Sequence, residues 1–219
     1  MNDIITGIAM GLSQIIVGHP FDTVKVLIQN NQKWYGLPIK EYYRGWKFPL
    51  IFSSMFYCTT FPLVQKINRH TNNYWISGLL SGSILFPIGY IYNIGKIKQQ
   101  TMGNLSISSF YNRYGKGSTF LKESISMSFY FGTYNEMKQM NFHPLVSGGM
   151  AGLTSWTFTY PLDVIRTRQI AQNIKLMDAL KQKKLWKGYG ICAVRAILLN
   201  GINFWVYEIV SEHLYSDII

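Results

Sequence analysis

Cysteine is nearly absent: Cys58 and Cys192 are the 2 cysteines in 219 residues. They stand far apart, so neither a disulfide framework nor a metal cluster is implied. Charge is also scarce, 14% of residues against about 25% in an average soluble domain. That shortage excludes disorder and a coiled coil. Acids are the scarcest of all, 10 Asp+Glu against 21 Lys+Arg, for a net charge of +11. The four histidines, His19, His70, His143 and His213, have no ligand-like spacing, and neither Gly-x-Ser-x-Gly nor a Gly-rich phosphate loop occurs. Catalysis, a metal and a cofactor are therefore not expected. The start, Met1-Asn2-Asp3-Ile4, has neither a basic secretory leader nor an Arg/Ser-rich transit leader. No cleavable presequence is expected, and any organelle address should be internal.

What remains is apolar (48%) and aromatic (16%). Four stretches carry no Asp, Glu, Lys or Arg: Ile4–Phe21, Phe48–Gln65, Thr71–Gly95 and Gln139–Leu162. Each approaches or exceeds the roughly 20 apolar residues that cross a bilayer core. Leu121–Tyr134 and Val194–Tyr207 are equally apolar but begin with Lys122, Glu123 and Arg195. The count of spans is four, and six if those charges face something other than lipid.

The chain also repeats itself, which bears directly on its fold. Pro20-Phe21-Asp22-Thr23-Val24-Lys25 lines up with Pro161-Leu162-Asp163-Val164-Ile165-Arg166. Midway lies Ile91-Tyr92-Asn93-Ile94-Gly95-Lys96, with Ile for Pro and Asn for Asp. A second series is Tyr43-Arg44-Gly45, then Lys116-Gly117 behind Tyr114, then Trp186-Lys187-Gly188. A third is Gly7-x-x-x-Gly11, Gly78-x-x-x-Gly82 and Gly148-x-x-x-Gly152, small residues that let membrane helices approach closely. Each copy reads as a helix, a short polar connection, an aromatic-basic-Gly turn and a second helix. Three hairpins, 1–70, 71–141 and 142–219, predict an all-α membrane protein: six transmembrane helices in one threefold pseudosymmetric bundle with short connections.

The basic charge falls on one side. Connections 30–47, 101–117 and 171–188 hold 11 Lys or Arg against 2 acids, the asymmetry of the positive-inside rule. The opposite side, with Lys66, Arg69, Glu136, Lys138 and Glu208 among its charges, is slightly acidic. A basic chain could bind nucleic acid, and Lys181-Gln182-Lys183-Lys184 alone would suggest it. A lipid-facing or solvated loop is the better reading of that run, and no nucleic acid is expected. Pro20 and Pro161 each remove a helical hydrogen bond and predict kinks that bring helix ends together.

In these motifs the chain resembles the mitochondrial carrier family, whose hallmark is a threefold P-x-[DE]-x-x-[KR]-x-[KR] motif followed by an aromatic-[KR]-Gly element. The resemblance covers nearly the whole chain, with a decayed middle copy and short connections as departures. It implies a matrix-side gate in which each acid pairs with the base of the next repeat: Asp22 with Lys96, Asp163 with Lys25, and Asn93 with Arg166. The last can be only a hydrogen bond. Gln29, and after it Gln100, stand where the family places a bracing glutamine; Ile170 replaces it in the third copy.

The resemblance also implies a cytoplasmic gate near the ends of the even helices. Its positions give Gln65 with Lys138, Asn135 with Ser211 and Glu208 with Asn68, none a complete ion pair. A weak lock and a resting preference for the cytoplasm-open state follow. Substrate contacts in the family lie about two turns beyond the aromatic-basic-Gly element. Seven residues past the glycine are Phe52 and Ser53 in repeat 1 and Arg195 and Ala196 in repeat 3. Aligned from Tyr130-Phe131-Gly132, repeat 2 contributes Lys122 and Glu123. Arg195 suits a carboxylate or phosphate. Lys122 and Glu123 suit a zwitterion or neutralise each other. Phe52, Trp156, Tyr90 and Tyr92 could stack on a base, although packing is the commoner role of membrane aromatics.

The turn elements Arg44-Gly45, Lys116-Gly117 and Lys187-Gly188 are expected to hold anionic lipid, cardiolipin by resemblance, on free helix N–H groups. The implied function is exchange of a small anionic metabolite across the mitochondrial inner membrane by alternating access, by a monomer. Nucleotides or deoxynucleotides are the leading substrate. The alternatives are an amino-acid, carnitine-like or carboxylate carrier, and a non-transporting scaffold or receptor with the same fold.

Overall fold

The structure is a computed structural model that describes residues 14–102, 113–196, 198 and 199, helical except for turns, bends and short irregular connections. A π-helical turn, Gln14–Gly18, leads into α1 (His19–Gln29). A short α2 (Ile39–Tyr42) precedes the long α3 (Lys47–Thr71) and α4 (Tyr74–Met102). Next come α5 (Lys116–Gln139), α6 (Pro144–Gln172) and α7 (Leu176–Lys181), then helical residues 189–196. α3 packs on α4, α4 on α5 and α5 on α6, so neighbours in sequence are neighbours in space.

Asparagines mark where the helices stop. Asn31, Asn72, Asn141 and Asn173 follow α1, α3, α5 and α6 with φ of 58°, 49°, 60° and 52°. A left-handed residue there satisfies late carbonyls and turns the chain, and asparagine tolerates that conformation better than other side chains.

The helices are polar inside and apolar outside. α4 buries Ser77, Ser81 and Asn93 while exposing Leu79, Leu80, Ile84 and Ile91. α6 buries Ser147, Ser155, Thr159 and Asp163 while exposing Val146, Met150, Leu153 and Phe158. In water that pattern would be costly; against lipid it is the stable one. Among the described residues one helix, Tyr74–Thr101, is long and apolar enough to cross a membrane, with mean hydropathy 1.3.

Close packing of α4 on α5 depends on glycine. A Cβ on Gly78 would collide with the Met127 backbone, one on Gly82 with that of Glu123 and Ser124, and one on Gly132 with the Trp75 ring. In the third copy, no described atom lies within 4 Å of a Cβ placed on Gly148 or Gly152; both border the central cavity. Gly7 and Gly11 lie outside the described residues.

The prolines differ in setting. Pro161 lies inside the continuous α6. Pro20 does not interrupt an α-helix: it sits in the first turn of α1, just after the π-helical turn. There its missing N–H costs little. Past the prolines, Val26 of α1, Tyr90, Ile94 and Ile97 of α4, and Ile170 of α6 form one buried cluster. The three helices that carry the acid-base motif therefore converge on each other.

Candidate functional site

A cavity of about 460 Å³ lies among these helices. Its wall includes five cations, Lys25, Lys96, Lys122, Arg166 and Arg195, and three carboxylates, Asp22, Glu123 and Asp163. Ala196 lines it as well. Residues expected at a matrix-side gate and residues expected to contact substrate thus share one chamber. Phe52 and Ser53 fall within α3, but their side chains lie outside the described residues.

The charges form two connected groups. In the first, Lys96 Nζ lies 2.8 Å from Asp22 Oδ2 and Arg195 Nε lies 2.9 Å from Asp22 Oδ1. In the second, Lys25 Nζ lies 2.6 Å from Asp163 Oδ2, Arg166 bonds Asp163, and Arg166 Nη1 lies 2.8 Å from Glu123 Oε1. Lys122 Nζ reaches the same Glu123 oxygen at 3.4 Å. Gln29 Nε2 donates to Asp163 Oδ2 at 3.1 Å, bracing the Lys25 pair. Gln100 braces no carboxylate; its Nε2 donates to Thr23 Oγ1.

The expected Asn93–Arg166 contact is replaced. Asn93 Nδ2 donates to the Gly89 carbonyl at 2.6 Å and to Glu123 Oε1 at 3.4 Å, while Arg166 takes Glu123 and Asp163. A guanidinium gains more from two carboxylates than from a neutral amide, and α5 is close enough at Gly82 and Gly89 to offer one.

Trp156 is occupied on its own terms. Lys25 Nζ sits 4.2 Å and Lys122 Nζ 5.2 Å from its ring centroid, cation–π contacts that satisfy partly desolvated ammonium groups. A stacked base would have to displace them.

The middle turn needs correction. Gly45, Gly115 and Gly188 have φ of +87°, +92° and +87°, so the left-handed glycine of repeat 2 is Gly115. Lys116 and Gly117 are instead the first residues of α5. Seven residues past Gly115 is Lys122, the same step that leads from Gly45 to Phe52 and from Gly188 to Arg195. Each turn is tied by a side chain to which the sequence reading gave no such role. His19 Nε2 bonds the Arg44 carbonyl at 2.9 Å, Tyr90 Oη the Tyr114 carbonyl at 3.4 Å and Tyr160 Oη the Lys187 carbonyl at 3.0 Å. All three carbonyls immediately precede the glycine, and all three donors immediately precede the Pro or Ile that opens the motif. That shared register was the available signal. Of the turn cations, Arg44 pairs with Glu41 at 2.9 Å and Lys187 Nζ donates to Asn31.

Arg168 was also missed. It is fully buried, and its guanidinium donates to the carbonyls of Gln29, Ala179, Lys183 and Lys184. It thereby ties the third connection to the end of α1. At the other end of the helices, Gln65 and Lys138 are exposed and Asn68 accepts a hydrogen bond from Ser77. Asn135 is half-buried. Glu208 and Ser211 lie outside the described residues.

Helices that are polar within and apolar without, around a charged chamber, suit a chain that surrounds a polar solute in lipid. The family model described as "Mitochondrial carrier protein" matches residues 139–217. The mitochondrial basic amino acids transporter of Rattus norvegicus is 26% identical over 276 aligned positions, 98% of this chain and 90% of its own length. The mitochondrial arginine transporter of Arabidopsis thaliana is 27% identical, over 94% and 89%. A glutamate/glycine mitochondrial carrier of Schizosaccharomyces pombe is 25% identical, over 97% and 94%. The chain is thus similar to mitochondrial carriers over nearly its whole length, and the family model covers its third repeat. The comparisons favour the amino-acid alternative over the expected nucleotide substrate: these three relatives are named for amino acids, and the Trp156 ring already holds two lysines.

Proposed function

We propose that this protein exchanges an amino acid across the mitochondrial inner membrane by alternating access, as a bundle of six membrane helices built from three hairpin repeats. The observation that carries the reading is that Arg195 and the Lys122-Glu123 pair line the same cavity. An α-amino acid presents a carboxylate and an ammonium a fixed short distance apart. Arg195 offers a fork of donors for the first, and Glu123 an acceptor for the second. Ala196 leaves room beside Arg195, and Phe52 and Ser53 complete the contact positions on α3.

Asp22, Lys25, Lys96, Asp163 and Arg166, braced by Gln29, form the matrix-side gate. Gln65, Asn68, Asn135, Lys138, Glu208 and Ser211 form the cytoplasmic one. The former is rich in ion pairs, while the pairings expected in the latter, Gln65 with Lys138, Asn135 with Ser211 and Glu208 with Asn68, do not join an acid to a base, which favours a resting state open to the cytoplasm. Anionic lipid headgroups, with cardiolipin foremost, bind at the Gly45, Gly115 and Gly188 turns.

The test is uptake into liposomes by purified full-length protein, preloaded and challenged with arginine, ornithine, lysine, glutamate, glycine, carnitine and ATP. Exchange of one or more amino acids is expected. Exchange of ATP alone, or of none of the seven, overturns the proposal.

A further inference from the structure

The middle repeat lacks its acid, and a ring of Lys25, Lys96 and Arg166 facing only Asp22 and Asp163 would be left with one uncompensated cation. The structure supplies the missing charge from a different helix. Glu123 of α5 lies 2.8 Å from Arg166 and accepts from Asn93, the residue that stands where the acid is missing. Glu123 and Arg166 are both buried, with side chains 11% and 7% exposed. A buried cation stripped of its partner is strongly disfavoured, so this contact bears on whether the three motif helices can close on each other.

Backbone geometry holds Glu123 there. α4 approaches α5 so closely that a Cβ on Gly82 would strike the Glu123 backbone, and a Cβ on Gly89 would lie 3.6 Å from Glu123 Cγ. Glycines at both positions let α5 lean its carboxylate across Asn93 to α6.

We infer that Glu123 is the third gate carboxylate, standing in for the acid absent at Asn93, and that the same carboxylate also faces the substrate. The inference rests on the amino-acid reading only for its second half. A substrate ammonium on Glu123 competes with Arg166 for Oε1, so occupancy loosens the gate directly. A carrier with its gate acid at position 93 would lack that competition.

The experiment relocates the acid. E123Q, N93D and the double variant N93D/E123Q of the full chain are compared in two assays. One is thermal unfolding in detergent without substrate; the other is amino-acid exchange in liposomes. E123Q should lower the melting temperature by about 5 °C, and N93D/E123Q should recover most of that loss, because an acid at position 93 again meets Arg166. Exchange should fall at least about tenfold in E123Q. Recovery of melting temperature without recovery of exchange supports both halves. Recovery of both supports the gate assignment and removes Glu123 from substrate recognition. Failure of N93D to recover any stability overturns the gate assignment, whatever the substrate proves to be. Should E123Q not fold, the comparison of N93D with the unaltered chain decides. If Glu123 already fills the role, the second acid should add no stability; a clear gain would mean that the position was vacant.

Discussion

Arg195 Nε lies 2.9 Å from Asp22 Oδ1, so a residue two turns into the last helix is bound to the acid of the first motif. Lys96 holds the other oxygen at 2.8 Å. One carboxylate thus joins elements of all three repeats. Removing it leaves two cations with no acid between them.

Asp22→Ala should reduce exchange by reconstituted protein at least about 100-fold, the equivalent of about 3 kcal/mol from a broken buried pair. Unchanged uptake would take Asp22 out of the transport cycle.

Gln29→Leu removes a donor from Asp163 Oδ2 while Lys25 and Arg166 remain. A hydrogen bond to a charged group contributes about 1.5–3 kcal/mol. The melting temperature should fall by about 3–10 °C, with exchange retained; a melting curve identical to that of the unaltered chain would show that the amide braces nothing.

Gly115→Ala and Gly117→Ala, two residues apart, should act in opposite directions. Gly115 has φ +92°, and its Cβ would sit 3.0 Å from Ile170 Cγ1. Alanine there is strained, with a loss of about 1–3 kcal/mol. Gly117 lies in the first turn of α5 with nothing within 4 Å, where alanine should gain up to about 1 kcal/mol. Thermal unfolding of the two variants reads the difference; equal effects would return the turn to Gly117.

Gly82→Val should drive α5 away from α4, because even a Cβ there overlaps the Glu123 backbone. Overpacking of this kind costs about 1–3 kcal/mol. Exchange should fall along with stability, since Glu123 moves with its helix, whereas Ile84→Val, nearby on the exposed face of α4, should change exchange little.

Much was legible from periodicity. The motif acids and bases, the basic connections and α3 to α6 all follow from uncharged stretches and a repeat of about seventy residues, because lipid selects long apolar helices and repetition aligns their charges. Local misreadings arose where the repeat had drifted. Lys116-Gly117 resembles the aromatic-basic-Gly element in composition, yet the glycine with positive φ is Gly115, a fact carried by backbone conformation and not by residue type. Pro20 reads as a kink, but the π-helical turn before it already accommodates the missing N–H.

The order of residues alone dictates a membrane-adapted helical chain with three related acid-base segments, since hydropathy and spacing act along the chain and need no partner. Which carboxylate meets which cation was decided only when the helices packed. Glu123 sits one residue from Lys122 and far in sequence from Arg166, and nothing local distinguishes its partners. The close α4–α5 approach at Gly82, and the loss of acid at Asn93, bring it to Arg166. Charges in a desolvated chamber pair with whatever opposite charge the packing brings within reach.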